Sequence, residues 1–380
     1  MIHLKIGTKQ EMERKKTLEY INYFRAIAIL LIVAGHTVVW GKNTMFTTNA
    51  YLFYGATFLF VFISGFLFEY LSYKFEYKTY LKKKFINVIM PFIIITLPIA
   101  IIYSQTKLDI ENSYINASKI FRFFICLFQS PMVNPPMWYM GMIIIFFLCA
   151  PLFVLIKKNR YIWYSSILCA IIYTLLSNRT YFQIPPLESG IKNIIYTNIY
   201  FYFKQFFYYM SAYLGGMLVS DILEKYTTTI QKYRKEILII TSIGLLFEFV
   251  EHLFVIKLSY HISGLQKFLE CILFVSLFMI YEEKIKNIKW LNTSLKFTAD
   301  YSFGIFFIHY LFLNIIYCHS IYTCNPLSPP SFLFKNTIHA FLYSIFIYII
   351  VLLFSITILY ILKKILKFFG IKNTRMFIGV

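Results

Sequence analysis

The chain has 380 residues, of which 59% are hydrophobic, 21% aromatic and only 14% charged. Soluble globular domains carry about 25% charged residues, so this composition excludes a soluble protein and indicates one embedded in a membrane. A net charge of +20 would suit nucleic acid in a soluble protein. Here the basic residues lie in short segments beside apolar runs, where the positive-inside bias and anionic lipid account for them, so no nucleic-acid partner is expected.

Apolar runs close to the roughly 20 residues of a spanning helix recur along the whole chain. With the N-terminus placed in the cytoplasm, 26 of the 37 Lys and Arg residues fall in cytoplasmic segments, which is the asymmetry expected of membrane proteins. The sequence therefore predicts an all-α, polytopic transmembrane bundle of about ten spanning helices with both termini cytoplasmic. The predicted spans are 22–40, 51–71, 85–104, 137–156, 161–176, 199–220, 236–256, 266–281, 301–318 and 338–362.

The predicted organisation is one membrane domain, 22–362, between a cytoplasmic N-terminal segment, 1–21, and a cytoplasmic basic tail, 363–380. The charged start and the lack of a small-residue cleavage site predict that the first apolar run is an uncleaved helix. Five of the six cysteines lie in apolar runs and none forms a C-x-x-C pair. No metal site or redox site is therefore predicted.

The first apolar run carries only two strongly polar side chains, Arg25 and His36. Ionisable groups inside a spanning helix are costly and are functional candidates for that reason. Their separation of eleven positions in sequence corresponds to about 16 Å along a helix. An imidazole can take a proton from a hydroxyl or hold an acyl group transiently. The alternatives are a packing role for His36 and a snorkelling interfacial anchor for Arg25.

The second and third apolar runs add further candidates. Ser64 and Gly65 lie within the second run, where packing of small residues is a sufficient explanation and a Ser nucleophile would need a nearby base. Lys82, Lys83 and Lys84 precede the third run. They are either positive-inside anchors or a binding site for the phosphates of a donor such as coenzyme A.

Two later runs contain aromatic and ionisable candidates. Trp138 and Tyr139 open the fourth run and are most simply explained as an interfacial aromatic belt. Glu248, Glu251 and His252 share one helical face. Inside a span, these three groups are predicted to position a polar acceptor or to relay protons.

The ninth run, 301–318, follows Asp300 and includes Tyr301, Ser302, Gly304 and His309. Asp300 is a plausible boundary cap, and Gly304 permits close packing of another helix. His309 lies about midway through the run, and both a structural and a functional role are open for it.

Five ordered segments together resemble the acyltransferase-3 family, integral membrane enzymes that O-acylate carbohydrates. They are Arg25 with His36, FVFISGFLF, MWYMGMIIIFFLCAPL, YLGGM and YSFGIFFIH. The family often has two arginines three residues apart at the mouth of its third helix, where this chain has Lys84 and Asn87. Lysine keeps the charge without the bidentate fork, and asparagine lacks both.

The resemblance implies an acyl-coenzyme A, usually acetyl-coenzyme A, as cytoplasmic donor substrate, with no bound cofactor. It implies a polysaccharide or lipid-linked sugar as acceptor. His36 would then be the central catalytic residue, as general base or acyl carrier, and Arg25 would orient the donor or its thioester carbonyl. Lys82, Lys83 and Lys84 would attract the donor phosphates. Candidates for the acceptor cavity are Ser64, Trp138, Tyr139, Glu248, Glu251, His252, Tyr301, Ser302 and His309.

These expectations describe an O-acetyltransferase-like enzyme of the bacterial inner membrane, surrounded by lipid and assisted by glycan-assembly proteins. The alternative is a proton-coupled exporter or flippase of a glycan, in which Glu248, Glu251 and His252 serve proton coupling. An exporter needs no thioester, so dependence on coenzyme A separates the two. A structural subunit of a glycan assembly, a third interpretation, predicts that replacing His36 is silent.

Overall fold

The computed structural model describes residues 18–38, 52–97, 138–176, 191–225, 231–255, 264–317 and 337–380. These residues are almost entirely α-helical and include no β-strand, as the sequence predicts. The helices are α1 (Glu19–Thr37), α2 (Thr57–Tyr70), α3 (Tyr77–Lys84), α4 (Trp138–Leu148), α5 (Ala150–Lys158), α6 (Arg160–Leu176), α7 (Ile191–Lys225), α8 (Arg234–Val255), α9 (Gly264–Asn287), α10 (Lys289–Tyr317), α11 (Thr337–Phe368) and α12 (Arg375–Ile378). A π-helical turn, Phe85–Ile89, follows α3 directly.

Within the described part of the chain, three helical stretches are long and apolar enough to cross a membrane: α1, α9 and 341–368 of α11. The predicted span 137–156 is instead the pair α4 and α5, bent by 48°. Pro151 occupies the start of α5, and its ring and missing N–H prevent the helix from continuing straight. Counted as one span, this pair gives a fourth candidate.

The backbones of helices α2 and α7 approach each other closely at two glycines. A Cβ on Gly65 would lie 2.0 Å from the carbonyl oxygen of Tyr213, and a Cβ on Gly216 would lie 2.1 Å from that of Phe62. Small residues allow helix backbones to approach in this way. The Ser-Gly and Gly-Gly motifs of the sequence therefore have a packing role.

The glycine contact predicts a stability loss for Gly216→Ala. The new methyl group would meet backbone that cannot move independently, so α2 and α7 must separate, at a cost of about 2 kcal/mol. Gly244→Ala is the matched control, because its Cβ would lie 3.3 Å from the flexible end of Leu269. We expect a lower melting temperature in detergent for Gly216→Ala only. Equal melting temperatures of the two variants would contradict this packing.

Helix α1 lies at the centre of the bundle and contacts α2, α9, α10 and α11. Its neighbour α10 runs parallel to it. Near the start of α1, the Tyr23 hydroxyl donates to the Asn292 side chain over 2.9 Å. Near its end, His36 packs against His309. This register places two pairs of polar residues at opposite ends of one helix pair.

Candidate active site

Two histidines distant in sequence meet at the end of α1. The imidazole rings of His36 and His309 are 5.3 Å apart, centroid to centroid, and the Tyr310 ring lies 5.6 Å from His36. His309 is completely buried, whereas His36 is partly exposed. One imidazole is therefore accessible and the other is fixed behind it. We call these two residues the histidine pair.

The hydrogen bond of His309 fixes its tautomer. Its Nδ1 lies 2.9 Å from the carbonyl oxygen of Ile305, and a carbonyl oxygen only accepts, so Nδ1 carries the hydrogen. Nε2 is then an acceptor, and it is buried with no hydrogen-bond partner among the described residues. A buried unsatisfied acceptor costs about 1–3 kcal/mol. A ligand hydroxyl that donates to Nε2 would remove this cost.

Aromatic side chains form one wall beside the histidine pair. The Phe306 ring lies 6.3 Å from His309 and 5.1 Å from Tyr139, and Trp138 packs 5.4 Å from Tyr209. Trp138 and Tyr139 are only 7% and 5% exposed. The expectation of an interfacial belt is therefore wrong for these two residues, because α4 begins in contact with α7 inside the bundle.

Ser64 lies near this aromatic wall. Its hydroxyl donates to the carbonyl oxygen of Phe60 over 2.9 Å and also interacts with the Tyr139 hydroxyl. The adjacent Gly65 carries the contact with α7. These contacts account for the Ser-Gly motif by packing and hydrogen bonding.

At the other end of α1, Arg25 lies beside Asp300. The guanidinium Nη2 is 3.9 Å from the Asp300 carboxylate, whose side chain is 71% exposed. The Nε of Arg25 is buried and has no hydrogen-bond partner in the described part of the structure. Arg25 is thus held inside the bundle with donor capacity that its long contact with Asp300 does not use.

The side chains of the three lysines at the end of α3 have different surroundings. Lys82 and Lys83 are exposed, whereas the Lys84 ammonium lies 4.8 Å from the centre of the Phe147 ring and 5.4 Å from that of Tyr80. Burial, and secondarily the charge of Arg375, lower the pKa of Lys84, which precedes the predicted span, to about 8. Among the three, Lys84 is directed toward the bundle.

Tyr301 and Ser302, two further predicted candidates, make contacts within α10 itself. Tyr301 stacks on Phe297 at 4.4 Å, and the Ser302 hydroxyl donates to the Ala299 carbonyl over 2.7 Å. Glu248 is half-buried on α8, which packs on α9. The side chains of Glu251 and His252 lie outside the described residues.

Comparison with known proteins identifies the family of this chain. A family model described as an acyltransferase domain, acyltransferase-3, matches residues 18–360. This chain belongs to the acyltransferase-3 family. Neither a curated protein nor a solved structure matches it significantly. The family and the apolar helices together make the chain a membrane acyltransferase.

In this acyltransferase, α1 joins two polar sites about 16 Å apart. The site at Arg25 is cationic, and the site at His36 contains two imidazoles and an aromatic wall. The guanidinium therefore does not touch the imidazole.

Sequence reasoning missed two charged networks of the acyltransferase. Lys267 is 1% exposed, and its ammonium lies 2.8 Å from the Glu270 carboxylate one helical turn further along α9. Their i, i+3 spacing was the available signal. In the second network, Lys157 joins Glu69 to Asp221. These residues come from three helices, so no local pattern indicates that they meet.

Proposed function

We propose that this membrane acyltransferase moves an acyl group, acetyl in the simplest case, from cytoplasmic acyl-coenzyme A to a hydroxyl of an envelope or exported polysaccharide or lipid-linked sugar. The observation that carries the proposal is the histidine pair, in which the partly exposed His36 lies beside a buried Nε2 that can accept a hydrogen bond. A sugar hydroxyl is the chemical group that this arrangement can bind and deprotonate.

The proposal includes a topology. Ten spanning helices with both termini cytoplasmic would place Arg25 near the inner face and His36 toward the outer face of a bacterial inner membrane. The excess of Lys and Arg in the predicted cytoplasmic segments supports this orientation. The parallel arrangement of α1 and α10 supports it as well, because both predicted spans would then run outward.

Two routes at His36 fit this geometry. In the first, His36 takes the proton of the acceptor hydroxyl, the oxygen attacks the thioester carbonyl, and coenzyme A leaves as thiolate and receives that proton. In the second, His36 attacks the thioester, releases the thiolate, and passes its acyl group to the sugar oxygen, whose proton goes to the thiolate. In both routes the His309 Nε2 can accept a hydrogen bond from a second hydroxyl of the sugar, beside the hydroxyl that reacts at His36.

Release of coenzyme A tests the enzyme against the exporter alternative. Proteoliposomes with wild-type protein would receive acetyl-coenzyme A and a crude envelope glycan, and free thiol would be followed over time. We expect release that requires both the protein and the glycan. Glycan transport without any thiol release would instead establish the exporter. A matched sample containing His36→Ala assigns the release to this site.

The position of Lys84 predicts a pH dependence of donor binding. With a pKa of about 8, the ammonium loses its charge as the pH rises through 8, so the KM for acetyl-coenzyme A should rise about tenfold between pH 8 and pH 9.5. The donor phosphates are already ionised over this range, since their last pKa is about 6. The KM would be measured from pH 7 to pH 9.5.

Lys84→Arg is the control for this pH dependence. A guanidinium stays charged throughout the range, so the rise in KM should be strongly reduced in this variant. A rise of the same size in wild type and Lys84→Arg would show that a different group titrates.

A further inference from the structure

The segment 371–380 folds back onto the Arg25 end of the bundle. Ile378 and Val380 are 5% and 9% exposed, and α12 contacts both α11 and the π-helical turn Phe85–Ile89. A Cβ on Gly304 would lie 2.8 Å from the carbonyl oxygen of Ile378. The segment predicted as a basic tail thus includes a part that is packed against α10.

Local hydrogen bonds hold this segment in a compact turn. The Thr374 hydroxyl donates to the Val380 carbonyl oxygen over 2.6 Å, and the Gly379 N–H donates to the Arg375 carbonyl oxygen over 3.0 Å. Gly379 has a φ of +72°, a left-handed conformation that glycine adopts without a steric penalty. The turn fixes the position of α12, which begins at Arg375.

Docking of this turn places Arg375 near two other cations, because α12 contacts the π-helical turn that directly follows Lys84. Arg375 is exposed and lies near enough to interact electrostatically with Lys84, Arg25 and Asp300. Among these groups, Asp300 is acidic. Its carboxylate makes only a long contact with Arg25 and is largely exposed to solvent. The cluster therefore carries excess positive charge, and the buried Nε of Arg25 remains available to an acceptor.

We propose that Arg375, Lys84 and Arg25 form a phosphate-binding site that holds the diphosphate of the acyl-coenzyme A donor. The inference rests on the proposed function and adds the segment 371–380 to its donor site. Arg375 supplies a planar guanidinium that can bind phosphate oxygens in a bidentate manner. Asn87 cannot do so, because it is uncharged and its side-chain amide donates to the Lys83 carbonyl oxygen over 3.0 Å.

The π-helical turn supports this assignment. Phe85–Ile89 follows Lys84 directly and contacts α12. Single π-helical turns inside helices occur often at functional sites. Here the turn joins the end of α3, at Lys84, to α12, which begins at Arg375, so both cations belong to one local structure.

The phosphate could also come from an anionic lipid headgroup, since basic groups at a membrane surface attract such lipids. The two sources are distinguished by measuring coenzyme A binding in nanodiscs that contain only zwitterionic lipid. Anionic phospholipid retained by the protein during purification would be quantified in parallel.

The test compares coenzyme A affinity by titration calorimetry in wild type, Arg375→Gln, Arg375→Lys and Lys372→Gln. We expect at least tenfold weaker binding for Arg375→Gln and partial recovery for Arg375→Lys. Lys372→Gln removes an exposed cation from the same segment and should bind as wild type does. Gly379→Val strains the turn while keeping Arg375, and it should weaken binding as Arg375→Gln does.

Equal affinities in wild type, Arg375→Gln and Gly379→Val would overturn the assignment. Unchanged coenzyme A binding with loss of retained anionic lipid in Arg375→Gln would assign the site to a headgroup and would overturn it too. A wild-type protein that binds no coenzyme A at all would be a failure of the proposed function itself, and the wild-type titration shows this separately.

Discussion

His36→Ala is expected to lower acyl transfer by about 10³-fold while the protein remains in the membrane at its normal level. The imidazole is the group that would deprotonate the acceptor hydroxyl or carry the acyl group, and a water molecule in its place is a much weaker base and carries no acyl group. Because His36 is partly exposed, its replacement by the smaller alanine should leave the fold intact. Transfer to glycan and protein level in membranes would be measured together.

His339→Ala is the matched control for this prediction, because it removes an exposed imidazole near the start of α11. We expect unchanged transfer in that variant. Normal transfer by His36→Ala would refute the proposed site and would favour the structural-subunit interpretation. Equal losses of transfer in His36→Ala and His339→Ala would indicate a general effect of removing histidine.

Arg25→Ala is expected to raise the KM for acetyl-coenzyme A roughly 100-fold, which corresponds to about 3 kcal/mol for charged hydrogen bonds to phosphate. We expect little loss of folded protein, because Asp300, its partner, is 71% exposed and can be hydrated instead. Initial rates over a range of donor concentrations would give KM, and gel filtration would report folding.

Lys296→Ala is the matched control for Arg25→Ala. Lys296 lies on α10 near the same end of the bundle, and its ammonium is 3.0 Å from the Glu19 carboxylate. Its removal should leave KM unchanged. A loss of membrane protein in Arg25→Ala that matches its loss of activity would establish the interfacial-anchor role that the sequence left open.

The helices could be predicted because apolar runs of spanning length are a strong signal in a membrane protein. The predicted span 266–281 lies within α9, Gly264–Asn287, and the predicted span 338–362 lies within α11, Thr337–Phe368. The bend between α4 and α5 was not predicted, although Pro151 was a visible signal for it.

The candidate site could be predicted only in part. Arg25 and His36 stand out because each is an ionisable residue in an apolar run. The contact between His36 and His309 depends on which helices are neighbours, and apolar runs contain no information on that. Burial of Trp138 was missed for the same reason, since an aromatic residue at a span end fits an interface equally well.

The positions of the charged residues also depend on contacts between helices that the sequence does not reveal. Lys82, Lys83 and Lys84 are equivalent by composition, and only the packing of α3 on α4 directs Lys84 toward Phe147. Arg375 belongs to a segment that resembles an ordinary basic tail in sequence. Its place near Lys84 follows from the docking of Ile378 beside Gly304, a contact between distant residues.

Transfer of label across a bilayer tests the central claim most directly. Labelled acetyl-coenzyme A would be added outside proteoliposomes of known protein orientation that enclose a glycan acceptor, with wild type and His36→Ala compared. We predict labelled glycan inside the wild-type vesicles whose Arg25 end faces outward, and background label with His36→Ala. Equal label on enclosed glycan in both proteins, or in neither, would contradict the assignment of acyl transfer to His36.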